Sequence, residues 1–285
     1  MSLDGRLFEN IDRFVERIRE IQSQEFEVKI EKRKIRRLNE YQILDDLAVL
    51  GVDGSQLPPL RDFGIPFGGV QSAGIVVHHG RGEFEVFHKS KIVSDTNLEF
   101  ERFRLEVEVM KDSMAKADFA FFDGSLRALY TTELSEALRK AYQREIESLI
   151  NESERLETPV IGYVDRSFTR DLRFSIYDSM LLSDYLEIYE YTHPIGTNTP
   201  LKAVYFKLSP LLPARIEIPE WCESMLDEII EVVYAESKLG STNAYPYILE
   251  RAHANARISE REKNAFLRAV KSMGISFKFV SKVIE

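Results

Sequence analysis

Apolar and polar positions along this chain change period several times. Leu7, Ile11, Phe14, Ile18 and Ile21 recur at alternating spacings of 4 and 3 residues. That heptad seam predicts one long helix from residue 4 to about residue 40, with a face that wants a partner helix. Residues 1–42 are assigned to this helix, with a second subunit as its expected contact, and residues 43–285 to one further domain. Short apolar runs then predict strands at Leu47–Val52, Gly74–His78 and Phe84–His88. Gly80-Arg81-Gly82 between the last two has hairpin composition. A helix follows from about Asn97 to Ala117, carrying Phe103, Val107 and Met110 at helical spacing. Next come strand Phe119–Phe122, a helix from about Thr132 to Ile150, and strand Val160–Val164. Ala203–Leu208 and Arg215–Ile218 predict two later strands, parted by Pro210 and Pro213. Pro219 starts a helix to about Ala235, Pro246 opens another through about Ala256, and Ser259 caps a last one to Met273.

Three strands, helix, strand, helix, strand predicts an α/β fold, a mixed sheet flanked by helices. The order is that of an RNase H-like domain, in which the first and fourth strands lie side by side. Both of those strands end here in the same tripeptide, Asp53-Gly54-Ser55 and Asp123-Gly124-Ser125. Each motif places a carboxylate where a strand leaves the core, and two such carboxylates on neighbouring strands can share a divalent cation. Asp-Gly is also an ordinary turn dipeptide, and either copy alone reads as a tight turn. The topology is the reason to pair Asp53 with Asp123.

Composition narrows the classes. The chain has 285 residues, 44% hydrophobic and 30% charged, enough for a sizeable core. No apolar stretch approaches the about 20 residues of a membrane span, and the start of the chain lacks a signal-peptide pattern. Cys222 is the single cysteine, so neither an internal disulfide nor a cysteine-based metal site is available. Cytoplasmic residence is the expectation, with no membrane partner. A net charge of −9 argues against a basic nucleic-acid coat protein. It leaves room for a nuclease, whose carboxylate site is itself acidic. The basic run Lys29–Arg37 reads either as a solvated helix face or as a DNA contact.

Three more residues carry candidate chemistry. Glu106 sits on an otherwise apolar helix face, where a carboxylate needs a cation or a hydrogen-bond partner. Glu99, Glu101 and Glu108 compete with it. His253 lies among Ala252 and Ala254 on the Pro246 helix, 8 residues after Tyr245. It reads as a metal ligand or acid–base group, or as a histidine satisfied by a backbone carbonyl. Tyr245 reads as a ligand-orienting group, a base-stacking ring, or an ordinary aromatic beside a proline. His78, His79, His88 and His193 have no comparable setting.

Together these segments resemble the NurA nuclease family. The resemblance is carried by Val52-Asp53-Gly54-Ser55-Gln56, by Phe122-Asp123-Gly124-Ser125-Leu126, by Arg215–Trp221, and by Tyr245-Pro246-Tyr247 followed by Ala252-His253. It spans about residues 45–260. It implies an RNase H-like fold with an N-terminal long helix and C-terminal helical additions. It also implies a manganese-dependent deoxyribonuclease of exonuclease and single-strand endonuclease type, with Mg²⁺ as the alternative ion. By similarity Asp53, Glu106, Asp123 and His253 are the metal ligands, and Tyr245 completes the catalytic set. The family further implies a homodimer acting on single- and double-stranded DNA ends, in double-strand-break end resection with a HerA-type hexameric ATPase translocase. One departure stands out. Where family members often carry a lysine, this chain reads Asp165-Arg166-Ser167. Arg166 could hold the scissile phosphate, and Asp165 is an extra ligand or a turn residue.

Two other classes compete. An ATP-binding protein of the actin and sugar-kinase type also builds on RNase H-like sheets, but generally needs two copies of the domain, and no repeat follows residue 170. A non-catalytic adaptor of a DNA translocase would keep the fold, and the intact acidic residues argue against it.

Overall fold

The chain's side-chain alternation sets up a two-faced sheet, and the computed structural model builds one. It describes residues 10–22, 27–57, 67–94, 97–127, 134–197, 199–241 and 244–272. Leu7, Thr132 and Met273, each used above to place a helix, lie outside them. In chain order the elements begin with α1 (Ile11–Gln22), β1 (Lys32–Lys34), α2 (Glu40–Leu44), β2 (Ala48–Gln56), β3 (Phe67–His78) and β4 (Glu83–Ser94). They continue with α3 (Leu98–Met114), β5 (Phe119–Asp123), α4 (Glu136–Leu156), β6 (Val160–Val164), α5 (Asp178–Tyr185), β7 (Glu190–Thr192) and β8 (Ile195–Gly196). Then come β9 (Leu201–Phe206), β10 (Ala214–Pro219), a 3₁₀ helix (Glu220–Met225), α6 (Leu226–Leu239), α7 (Tyr247–Ala256) and α8 (Glu260–Ser272).

Among the described residues, ten strands form one mixed sheet in the order β1-β7-β9-β10-β6-β5-β2-β3-β4, with β8 on β9. The expected neighbours are in place: β2 and β5 are parallel and pair Val49–Val52 with Phe119–Phe122. Helices α3 and α4 start where side-chain oxygens cap them. Asn97 accepts from Phe100 N at 2.9 Å, and Ser135 accepts from Leu138 N at 3.3 Å. Alternation then splits the core. Val49, Phe119 and Phe121 pack with Ile229, Val233 and Ile248 of α6 and α7. Leu50, Val52, Ala120 and Phe122 pack with Val107, Met110 and Leu149 of α3 and α4.

The two Asp-Gly-Ser motifs do not share a conformation. Gly124, with φ +121°, turns the chain after β5. Gly54 does not turn it. β2 runs on to Gln56 because β3 stays paired through Gly54–Ser72 and Ser55–Gln71, after its parallel partner β5 has ended. The first motif is therefore a strand interior, and the reading of a tight turn there is corrected.

The N-terminal helix also stops short of the expected residue 40. α1 ends at Gln22, and Lys32–Lys34 form an edge strand. The basic run is therefore not a helix face. Lys32 pairs with Glu190 at 2.8 Å, Arg33 with Asp227 at 3.2 Å and Arg37 with Glu231 at 2.8 Å, so the fold's own carboxylates take up this charge. Among the described residues no helix is long and apolar enough to cross a membrane. Cys222 is buried, and burial raises its thiol pKa, as expected of a packed side chain.

Candidate metal centre

Strand parity decides what meets whom. Asp53 and Asp123 continue the odd-numbered face of β2 and β5, the face covered by α6 and α7. His253 on α7 comes down on the same face, its Nδ1 lying 2.8 Å from Asp53 Oδ2. The other oxygen, Asp53 Oδ1, accepts from Gly54 N at 2.6 Å. Asp53, Asp123 and His253 each present one ligand atom, all within 4.8 Å of one another. Two carboxylate oxygens and an imidazole nitrogen at that separation fit a divalent cation that accepts oxygen and nitrogen ligands. Tyr245, just before α7, donates its hydroxyl to Asp123. Its ring packs edge-on against Tyr163 at 5.7 Å.

Helix α7 is held at three points. Beneath it, Gly51 has no side chain, and a Cβ there would lie 2.6 Å from the Ile248 carbonyl oxygen. At its start, the fully buried Glu236 carboxylate accepts from Ile248 N at 2.8 Å and pairs with His79 Nε2 at 2.6 Å. At its end, Ala256 O accepts from Ser55 Oγ and Gln71 Nε2, each at 2.6 Å. His79, given no role from the sequence, thus helps fix the helix that carries His253. The alternation of His78 and His79 along a strand end carried no signal for this, since the partner lies 157 residues away.

Glu106 is buried and reaches the site from the other face. α3 lies on the even-numbered side of β2, and Glu106 Oε1 occupies the space a Cβ on Gly54 would need. It lies outside the close group of Asp53, Asp123 and His253, paired with Arg102 Nε at 3.3 Å. Burial pushes its carboxyl up to about 8, against the pull of Arg102, and the charges of Asp53 and Asp123 add to the rise. Asp123 is pushed up to about 6, by burial first and by Asp53 as well, with Tyr245 and His253 opposing. Two carboxyls held above their ordinary range by burial, with neighbouring carboxylate charge adding to the rise, mark a place where a cation would be stabilising.

A cleft of about 730 Å³ opens over the group, lined by Asp123, Asp165, Arg166, Tyr245, Arg251 and His253. Asp165 and Arg166 are both exposed at its rim. Beside it lies an ion network missed in the sequence. Arg215, Glu217 and Asp171 are buried together, with Arg215 Nη2 at 2.9 Å from Asp171 Oδ2 and Arg215 also paired to Glu217. Arg127 pairs with Asp171 as well. Glu217 accepts from Ser125 Oγ at 2.8 Å and from Arg127 N at 3.0 Å, which fixes the loop leaving Asp123. The alternating Arg215-Ile216-Glu217 pattern hinted at a strand with one polar face, but nothing local indicated that this face was buried.

Fold and site together define a mixed α/β protein with a carboxylate–histidine cluster where the parallel pairing of β2 with β5 runs out. The family model of the NurA domain matches residues 47–258. The chain belongs to the NurA family. Comparison with curated proteins finds no match. Among solved structures, the NurA nuclease from Sulfolobus solfataricus superposes with a TM-score of 0.70 at 16% identity, covering 95% of this chain and 97% of that one. A NurA structure bound to dAMP and manganese superposes with a TM-score of 0.54 at 10% identity, covering 95% and 98%.

Proposed function

We propose that this protein is a divalent-metal-dependent deoxyribonuclease, with Mn²⁺ as its ion and Mg²⁺ as the weaker alternative. The observation that carries the reading is the convergence of Asp53, Asp123 and His253 from three separate elements to within 4.8 Å. Asp53, Asp123 and His253 would hold the ion, with Glu106 adding a carboxylate from beneath β2. A bound divalent ion supplies charge stabilisation of the phosphodiester and a water of lowered pKa. An imidazole in the donor set favours Mn²⁺, because Mg²⁺ prefers oxygen and retained waters. The manganese and dAMP of the related NurA structure accord with that donor set.

The chain's own groups do the rest. The Gly54 N–H fixes one Asp53 oxygen and leaves the other turned to His253. Tyr245 orients Asp123 through its hydroxyl. Glu106, pushed up to about 8 in the metal-free site, would give up its proton on joining the ion. Arg166, at the rim of the cleft, is positioned to pair with a substrate phosphate.

The same reading extends to the cellular setting. The protein acts on DNA ends as an exonuclease and single-strand endonuclease in the cytoplasm, in break resection with a HerA-type hexameric ATPase. The unpaired apolar positions Ile11, Phe14 and Ile18 of α1 support a homodimer through that helix. The test is cleavage of end-labelled linear DNA, single- and double-stranded, with Mn²⁺, Mg²⁺ or EDTA. Divalent-dependent shortening that Asp53→Asn lacks, with folding and DNA binding retained, is the expected result. Full activity in Asp53→Asn removes the reading. Silence in every metal, with and without the translocase, leaves an adaptor.

A further inference from the structure

We propose that the segment from Arg166 to Arg170 is a subsite for an unpaired stretch of the DNA strand, in which Phe168 stacks on a base and Arg166 and Arg170 take the flanking phosphates. The inference rests on the nuclease reading and says how that site grips its substrate.

The first observation is the segment's alternation. Arg166, Phe168 and Arg170 are exposed, whereas Ser167 is buried and Thr169 half-buried. The inward residues are tied down. Ser167 Oγ meets Thr169 Oγ1 at 2.9 Å, Thr169 Oγ1 meets Tyr205 OH at 2.7 Å, and Ser179 Oγ donates to Ser167 O at 2.8 Å. The outward residues therefore stand as a comb, cation, ring, cation, on a backbone fixed from behind. Phe168 is 69% exposed, a large apolar surface to leave in water on a segment so firmly anchored. Tyr177 supports its ring edge-on at 5.3 Å, and the Arg170 guanidinium lies 5.0 Å from the Tyr177 ring centre.

The second observation is the cleft beside the comb. Its volume is about 500 Å³, and four arginines line it against two carboxylates, Asp171 and Glu217. Arg127 and Arg215 are consumed in pairing with those carboxylates. Arg166 and Arg170 are the pair at the surface, with only the exposed Asp165, 3.9 Å from Arg166, against them, on a chain whose net charge is −9. A local positive excess on an acidic protein is what a phosphate backbone would find. Arg166 lines both this cleft and the one over Asp123 and His253, so the two form one continuous track. An aromatic ring between cations suits single-stranded nucleic acid, because a base offers a stacking face only when it is unpaired.

The test is fluorescence anisotropy of a labelled oligothymidylate with the full chain in EDTA, where cleavage cannot interfere. Phe168→Ala should weaken binding about 5- to 100-fold with an unchanged salt dependence. An oligonucleotide with abasic positions should bind wild type more weakly, while Phe168→Ala should not tell the two apart. Arg166→Ala and Arg170→Ala should each lower the slope of log K against log salt by about 0.7. Wild-type binding by Phe168→Ala, or an abasic penalty of equal size in both proteins, overturns the subsite and leaves the nuclease reading standing. A changed subunit count in Phe168→Ala by light scattering, with DNA binding intact, assigns the face to a second copy and also overturns it. If wild type neither binds DNA nor cleaves it with Mn²⁺, the nuclease reading fails and the subsite falls with it.

Discussion

Gly51→Ala adds one methyl group and should move the metal centre without touching any of its ligands. The added Cβ would lie 2.6 Å from the Ile248 carbonyl oxygen and 2.8 Å from Ile248 Cγ1. Ordinary contact begins near about 3.5 Å, so α7 must retreat from β2 by about 0.9 Å. The side chain of Ile248 can rotate, but its backbone oxygen cannot move without the helix. That helix is held at its start by Glu236 and at its end by Ser55 and Gln71, so the strain spreads along it to His253. Overpacking of this kind costs about 1–3 kcal/mol of stability. A displacement near 1 Å at a catalytic group costs about 100-fold in rate. The assay is Mn²⁺-dependent cleavage of end-labelled DNA, with thermal unfolding and Mn²⁺ titration on the same protein. The expected pattern is a folded protein with a Tm lower by a few degrees, weaker metal binding, and cleavage down by one to two orders of magnitude. Wild-type cleavage and metal affinity in a folded Gly51→Ala protein would refute the claim that α7 sets the position of His253.

Other expectations follow from the same geometry. Gly54→Ala works from the opposite face: its Cβ needs the space of the Glu106 carboxylate, so cleavage should fall while His253 and Asp53 stay in contact, a difference that His253 NMR shifts would report. Glu106 and Asp123 have folded-state pKa values raised to about 8 and about 6, so they favour the folded state at low pH and lose that contribution as pH rises through those values. In EDTA the Tm should therefore fall between about pH 5 and 8; Glu106→Gln should flatten the fall, and Mn²⁺ should offset it. Arg215→Met leaves Asp171 and Glu217 buried without their shared cation, and denaturant unfolding should show a loss of about 3–5 kcal/mol.

Much of this protein was written locally. Short apolar runs located β2, β5, β6, β9, β10 and parts of β3 and β4, helical spacing located α3, Pro246 located the start of α7, and the element order set β2 beside β5. Those features depend on neighbours a few residues apart, which is why Val160–Val164 was bounded to the residue. The three residues that converge were also legible, because Asp53 and Asp123 end apolar runs and His253 sits between small residues. Long-range packing decided the remainder. Only the docking of α3 and α7 on opposite faces put His253 against Asp53 and Glu106 behind Gly54. Identical tripeptides diverged for the same reason: Ser55 holds the end of α7, whereas Ser125 binds Glu217. The helix expected to about residue 40 does not extend that far because Lys32–Lys34 form a ladder with β7, a partner more than 150 residues later. Burial of Arg215, Asp171 and Glu217 together needed three separate segments to meet, and charge at a position carries no information about what will come to cover it. Periodicity states which side of an element is apolar. Which element covers that side is a property of the folded chain, because it is settled by contacts between distant residues.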